Sequence, residues 1–348
     1  METRTFTILG ESLSGKTTYL LAMYSELSQT LDGYSILAQD KTLNSELLIL
    51  YEKLDDESSS EERFPDATDQ NQIYNFYLNY SNKPIRAFDW IDYPGGLLRN
   101  ANYDGYGEVS KTINKSSTLF ICVDGEHLVG NDTERKIKRV KKKCGMTINA
   151  FLGRYFRAGG KLPPVGIILT KSDLFMHDTD DAEVRKILAE AFSPLFVSRE
   201  TLIGVIPVTL GKNIQDDNYR GELEPVNVHL PIFMAIWCAL NDSIKEYDGK
   251  LAANKNSTFD LYDRISSANR RIESLESSIK YKKGERDKEK DKWFFSRSDR
   301  KISTLQGEIN QAESERKSKQ NDIDDYYRRI SNNNAENSRI QGLRSDLN

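Results

Sequence analysis

The chain has 348 residues, with 49 Lys and Arg against 53 Asp and Glu, a length that suits two domains or one large domain with an appendage. Residues 251–348 hold 21 basic against 17 acidic side chains and residues 1–250 hold 28 against 36, which excludes nucleic-acid binding driven by bulk charge. Three cysteines (Cys122, Cys144, Cys238) and three histidines (His127, His177, His229) show no disulfide, zinc or cluster spacing, so free thiols in a reducing compartment are expected. No signal peptide is read at the N-terminus and no apolar run reaches the length of a membrane span; the sequence predicts a soluble, cytoplasmic protein.

In chain order, β-rich runs at 3–9, 73–80, 84–91, 118–123, 165–169 and 202–208 alternate with helical stretches at 16–31, 45–54, 107–114, 133–157 and 180–192. "TLFICV" and "VGIIL" are unbroken apolar runs, as expected of strands buried on both faces. This pattern predicts an α/β fold, a mostly parallel sheet with helices on both faces, over residues 1–250. The acidic "DDESSSEE" at 55–62 reads as a mobile loop, and an apolar helix over 231–247 closes the domain.

Beyond residue 255 the apolar residues thin out and fall on heptads. Leu261, Ile265, Ala268, Ile272, Leu275 and Ile279 form one series. Ile302, Leu305, Ile309, Ala312, Ile323, Tyr326, Ile330, Ile340 and Leu347 form another. Steps of three and four predict a coiled coil, folded at 251–348 as an antiparallel helical hairpin. "KWFFSRSDRK" lies at its tip, with Ser296 or Ser298 as a helix cap. The expected register sets Ile265 near Tyr326 and Ile279 near Ala312, with arms of roughly 50 Å. Arg316 and Lys319 occupy seam positions, and "NNN" at 332–334 is a poor helix former, so the hairpin is expected to be loose or broken there.

The chemistry is concentrated near the N-terminus. Gly10, Gly15, Lys16 and Thr17 satisfy G-x-x-x-x-G-K-[ST] between an apolar strand and a helix-forming run. Glycines allow a tight turn whose amide N–H groups surround a phosphate, and the helix that follows adds its positive end. Lys16 spans the outer phosphates, Thr17 ligates magnesium, and Ser14 and Thr18 complete the cradle. Two more stretches follow in order, each at a strand's C-terminal end: "DYPG" at Asp92–Gly95, of the form D-x-x-G, and "TKSD" at Thr170–Asp173, of the form [NT]-K-x-D.

Together these motifs make residues 3–250 resemble the TRAFAC-class (Ras-like) P-loop GTPases. The spacing of "GESLSGKTTYL" and the D-x-P-G further resemble the prokaryotic double-GTPase type. The resemblance implies that Asp92 holds Mg2+ through a water and that the Gly95 amide senses the γ-phosphate. It implies that Asp173 accepts from guanine while Lys171 covers the ring, with Thr170 standing where many relatives have Asn. Thr209 and Leu210, after the next strand, would supply a backbone contact to the base. The first-switch threonine that completes the magnesium shell is expected at Thr68, in preference to Thr42.

Where a Ras-like enzyme has its water-orienting Gln, this chain has Gly96. Leu13 replaces the Asn of potassium-activated relatives, and Arg63 is a cis-arginine candidate, with a solvated loop charge as the preferred reading. The expected function is a GTP-binding switch that hydrolyses GTP to GDP slowly, unless a partner or self-association stimulates it, and that signals or assembles through the hairpin. The other class considered is a nucleotide-dependent coiled-coil scaffold or dynamin-like assembly protein with marginal hydrolysis. Ten basic and five acidic residues over 280–301 surround Trp293, Phe294 and Phe295. Such a tip suits a membrane interface or an acidic protein partner, unless the three rings simply pack inward. No nucleic acid is expected.

Overall fold

A computed structural model of the chain describes residues 3–55, 64–66, 70–95, 97, 105–197, 201–211, 223–292 and 299–345. These fall into two compact units, Met1–Ala239 and Leu240–Asn348.

The first unit is built on a seven-stranded sheet. Its strands are β1 (Thr3–Gly10), β2 (Tyr34–Ala38), β3 (Gln72–Tyr80), β4 (Lys83–Asp92), β5 (Thr118–Asp124), β6 (Val165–Thr170) and β7 (Ile203–Pro207), in the spatial order β2-β3-β4-β1-β5-β6-β7. β4, β1, β5, β6 and β7 pair in parallel, and β3 runs antiparallel to both its neighbours. Every residue of β5 and β6 is buried, because parallel strands reached by crossovers carry helices on both faces. β3 returns into β4 through Ser81 and Asn82, with φ 47° and 62°, the paired left-handed geometry whose twist suits a tight hairpin.

The helices are α1 (Lys16–Ser28), α2 (Lys41–Asp55), α3 (Gly105–Lys115), α4 (Thr133–Val140), α5 (Met146–Arg157), α6 (Asp181–Ala191), α7 (Ser193–Val197), α8 (Leu230–Lys292) and α9 (Asp299–Ser345). Asp132 and Asp180 cap α4 and α6 by accepting from Arg135 N and Glu183 N, satisfying first-turn donors that a helix leaves open. The aromatic core along β1, β3, β4 and β5 joins Phe6, Phe76, Phe88, Trp90 and Phe120 at centroid distances of 5.1–5.3 Å.

The layout of elements departs from the expected one at several points. The edge strand β2 was not anticipated. α2 starts at Lys41 rather than 45, where the Thr42 N–H meets Asp40 Oδ1 at 2.6 Å. The helix expected over 133–157 is interrupted by a π turn at Lys141–Gly145. The helix expected to end at 247 runs unbroken to Lys292, since no proline interrupts it and Gly249 costs only about 1 kcal/mol in a helix interior.

The second unit is the hairpin of α8 and α9. Leu261, Ile265, Ala268, Ile323 and Ile330 form one buried cluster, with Tyr326 packed against it, and Leu275, Ile279, Ile309 and Ala312 form another. The expected partners therefore meet. Across the seam, Arg271 pairs with Glu315 at 2.8 Å, Lys283 with Glu313 at 2.7 Å and Arg344 with Asp248 at 2.8 Å. The helix does not break at 332–334. Asn333 Nδ2 instead donates to Thr258 Oγ1 at 3.2 Å, and Asn254 Nδ2 donates to Asn337 Oδ1 at 3.1 Å. Asn333 thus finds a hydroxyl and Asn254 and Asn337 find each other across the seam, which offsets their weak helix propensity. Arg316 reaches Glu276 at 3.3 Å, and Lys319 reaches Asp322 on its own helix. The tip residues Trp293, Phe294, Phe295, Ser296 and Ser298, and the loop 56–62, lie outside the described residues.

Candidate functional site

The turn between β1 and α1 has the geometry its glycines predict. Gly15 has φ 85°, a conformation that glycine reaches without a Cβ penalty. A Cβ on Gly10 would lie 2.8 Å from Cys122 O, so only glycine lets β1 end this close to β5. The carbonyl of Glu11 is the hub of the loop. It accepts from Ser14 N at 3.4 Å, Ser14 Oγ at 2.9 Å and Lys16 Nζ at 3.1 Å. The Ser14 carbonyl accepts in turn from Thr170 Oγ1 at 2.8 Å and from Cys122 Sγ at 3.1 Å. The C-terminal ends of β5 and β6 thus hold the loop from below.

At the end of β4, Asp92 is 1% exposed. Thr17 Oγ1 donates to its Oδ2 at 3.4 Å, while Oδ1 is buried with no hydrogen-bond partner. Burial pushes the carboxyl from 3.8 up to about 6, against the opposing pull of Lys16 and Thr17. A buried, under-satisfied carboxylate oxygen beside a threonine hydroxyl is the donor set a hard divalent cation takes, with water filling the remaining positions. Thr17 and Asp92 therefore fit Mg2+. Gly95 backs onto the phosphate loop so closely that a Cβ there would fall 2.0 Å from Ser12 N.

The far end of the site is built on β6 and the segment after β7. Lys171 has φ 51°, and its Nζ donates to Asp124 Oδ2 at 2.8 Å and Glu126 Oε1 at 2.9 Å. Burial lowers its pKa, but the two carboxylates outweigh burial and raise it. Asp173 lies in a single 3-10 turn, Ser172–Leu174, and does not cap it. Its Oδ1 accepts from Thr209 Oγ1 at 2.5 Å, and the Gly211 N–H donates to the same threonine oxygen at 3.1 Å. Beside the backbone contact expected of Thr209, its side chain holds the Asp173 carboxylate.

One cavity of about 310 Å³ collects Gly15, Lys16, Thr17, Thr18, Gly95, Thr170, Lys171, Asp173, Thr209 and Leu210 in its walls. Of the remaining expected residues, Gly10, Ser14 and Asp92 stand behind that wall, with Asp92 reached through Thr17. Thr68, Gly96 and Arg63 lie outside the described residues; Thr42 is in the first turn of α2, away from the cavity lining. Phe64, Pro65 and Leu174 also line the cavity. Phe64 was legible only as an aromatic in the segment before Thr68, and nothing in spacing marked Leu174.

Among solved structures, the S. cerevisiae Ski7 GTPase-like domain bound to GTP is 17% identical with a TM-score of 0.38, over 68% of this chain and 50% of that one. The same domain bound to GDP and inorganic phosphate is 16% identical with a TM-score of 0.36, over 66% and 48%. The chain thus spans about half the length of these structures. The signal recognition particle receptor SRb-GTP/SRX complex from Chaetomium thermophilum is 13% identical with a TM-score of 0.31, over 59% of this chain and 92% of that one. No curated protein matches. The family model described as Double-GTPase 2 matches residues 4–203. That match covers more than half of the chain and runs from β1 to the first residue of β7, through every strand that carries the cavity except the last. The chain belongs to the Double-GTPase 2 family of P-loop GTPases.

Proposed function

We propose that the protein binds GTP with Mg2+ and hydrolyses it to GDP and phosphate as a molecular switch, slowly in isolation. The observation that carries this reading is the single cavity with Lys16 and Thr17 at one end and the Thr209-held carboxylate of Asp173 at the other. Their separation along the chain, 155 residues from Lys16 to Lys171 and Thr209 still later, is closed by parallel pairing of β1, β5 and β6.

At the phosphate end, the Glu11 carbonyl aims the Lys16 ammonium. That charge and the loop amides neutralise the negative charge that builds on the transferred phosphoryl group, which accounts for most of the catalysis such sites provide. Mg2+, held by Thr17 directly and by Asp92 through water, would add electrostatic stabilisation of the β- and γ-oxygens. At the base end, an oriented acceptor pair on Asp173 matches the two donors of a guanine edge. Adenine would leave that half-buried carboxylate unsatisfied, the kind of mismatch that gives large discrimination. Gly96 offers no side chain to orient the attacking water, so turnover depends on a group supplied by another part of the chain, by a second copy or by a partner. The hairpin, residues 251–348, is then the element through which the nucleotide state is signalled or an assembly is built.

Single-turnover hydrolysis of GTP and ATP at low and high protein concentration tests this reading. GTP-specific turnover that rises with concentration is expected. Equal affinity for ATP and GTP would overturn the base assignment, and Asp173→Asn should move the preference toward xanthine nucleotides.

A further inference from the structure

The turn Gly125–Leu128, directly after β5, contacts Lys171 on one side and Glu11 of the phosphate loop on the other. A Cβ on Gly125 would fall 2.4 Å from Thr170 O and 2.7 Å from Lys171 O, so this glycine lets the turn nest against the end of β6. The Asp124 carboxylate accepts from Glu126 N at 2.9 Å and fixes the turn, while Asp124 and Glu126 together hold Lys171. The next residue, His127, points the other way. Its Nε2 lies 2.5 Å from Glu11 Oε1, and the two side chains are only 13% and 10% exposed. Glu11 is the residue whose carbonyl gathers Ser14 and Lys16.

We propose that His127 is a positioning residue for the phosphate loop: its imidazole holds the Glu11 carboxylate and, through Glu11, sets the carbonyl that aims Lys16. A side chain fixed at both ends leaves its own backbone little rotational freedom, and an imidazole–carboxylate pair is among the stronger kinds of hydrogen bond. Glu11 sits inside a loop that contains a left-handed Leu13 (φ 64°) and a left-handed Gly15, so the peptide planes there need an external anchor to keep one orientation. The anchor is mounted on the same turn that grips Lys171, which ties the grip on phosphates to the element that orders the base end.

This role presupposes the nucleotide-binding reading, and the test separates the two. The full-length protein is titrated with GDP, IDP and ADP, and the thermal midpoint of each nucleotide-free variant is recorded. His127→Ala and Glu11→Ala should each weaken GDP binding about tenfold, the worth of one charge-assisted hydrogen bond. The double variant should be no weaker than either single, because the pair acts as one unit. The GDP-to-IDP ratio, which reads the base end alone, should stay unchanged. Glu11→Gln, which still accepts from the imidazole, should keep near-normal affinity. Additive losses, a Glu11→Gln variant as weak as Glu11→Ala, a shifted GDP-to-IDP ratio, or affinity falling in step with the thermal midpoint would each overturn the proposal. If the unmodified protein binds ADP as well as GDP, the guanine reading fails while the His127 effect is still read on ADP. If it binds none of the three, both fail.

Discussion

Replacing Asp92 by Asn should stabilise the protein at neutral pH when nucleotide and magnesium are absent. The carboxyl is 1% exposed, and burial lifts its pKa from 3.8 to about 6. The folded state therefore holds the proton more tightly than the unfolded chain does. Between about pH 4 and pH 6 the native protein binds more protons than the unfolded one, so stability falls as pH rises through that window and stays at the lower level above it. A rise from 3.8 to about 6 is a little over two factors of ten in proton affinity, which at ~1.4 kcal/mol each sets a cost on the order of 3 kcal/mol at pH 7.5. An amide carries no charge to desolvate but has its own hydrogen bonds to satisfy, so about 2 kcal/mol of gain is expected for Asp92→Asn. Urea unfolding in chelator, followed by the fluorescence of Trp90, which is buried two residues away on the same strand, measures it. The gain should shrink sharply by pH 4 and disappear near pH 3, where the aspartate is neutral in the folded state and largely so in the unfolded chain. A variant less stable than its parent at pH 7.5, or equally stabilised at pH 4, would refute the reasoning. The same variant should lose the magnesium dependence of nucleotide binding.

Other outcomes follow from single contacts. Thr209→Val removes the 2.5 Å hydrogen bond to Asp173 at almost constant volume and should weaken GDP binding about tenfold; unchanged affinity in a titration would remove Thr209 from the base end. Lys16→Ala and Thr17→Ala should each abolish turnover, and Thr17→Ala should be the one whose nucleotide affinity stops responding to magnesium. Gly95→Ala adds a methyl 2.0 Å from Ser12 N, so the D-x-x-G turn must lift from the phosphate loop, and altered GTP-over-GDP preference is the expected readout. Ile309→Ala hollows out a residue 1% exposed between Leu275 and Ile279 and should cost the hairpin about 3 kcal/mol, seen as an earlier loss of helical circular dichroism. Cysteines at 265 and 326 should cross-link within one chain, whereas cross-links only between chains would exclude the hairpin.

The parallel core was legible because β5 and β6 are apolar at consecutive positions, a pattern that only strands covered on both faces require. β2 was not, because "YSILA" is five residues long at a sheet edge, with Leu37 turned to solvent, and no periodicity separates it from a loop. The hairpin register followed from the heptads, but the long course of α8 did not. The change in composition near residue 250 looks like a boundary, while the backbone there has no reason to stop. The motifs at Gly10–Thr17 and Thr170–Asp173 stood out in the sequence because their residue types fall at a fixed spacing next to strand ends. Glu11 and His127 were not, since they stand 116 residues apart and meet only when β1 and β5 pair. The π turn at Lys141–Gly145 was equally hidden. Its Gly145 is explained by the 2.6 Å that would separate a Cβ from Ala191 O, a neighbour the sequence does not announce.

The amides at the open end of the hairpin have a consequence for how that unit can move. Asn254 faces Asn337 and Thr258 faces Asn333; a slip of one heptad would set Asn337 and Asn333 level with Leu261 and Ile265. Aliphatic neighbours offer those amides no partners, and the same slip would carry Ile309 and Ala312 away from Leu275 and Ile279. The two helices are thus indexed against each other by polar pairs at the open end and by apolar clusters along the seam, as teeth fix a gear, and sliding one helix along the other is opposed along the whole of the pair.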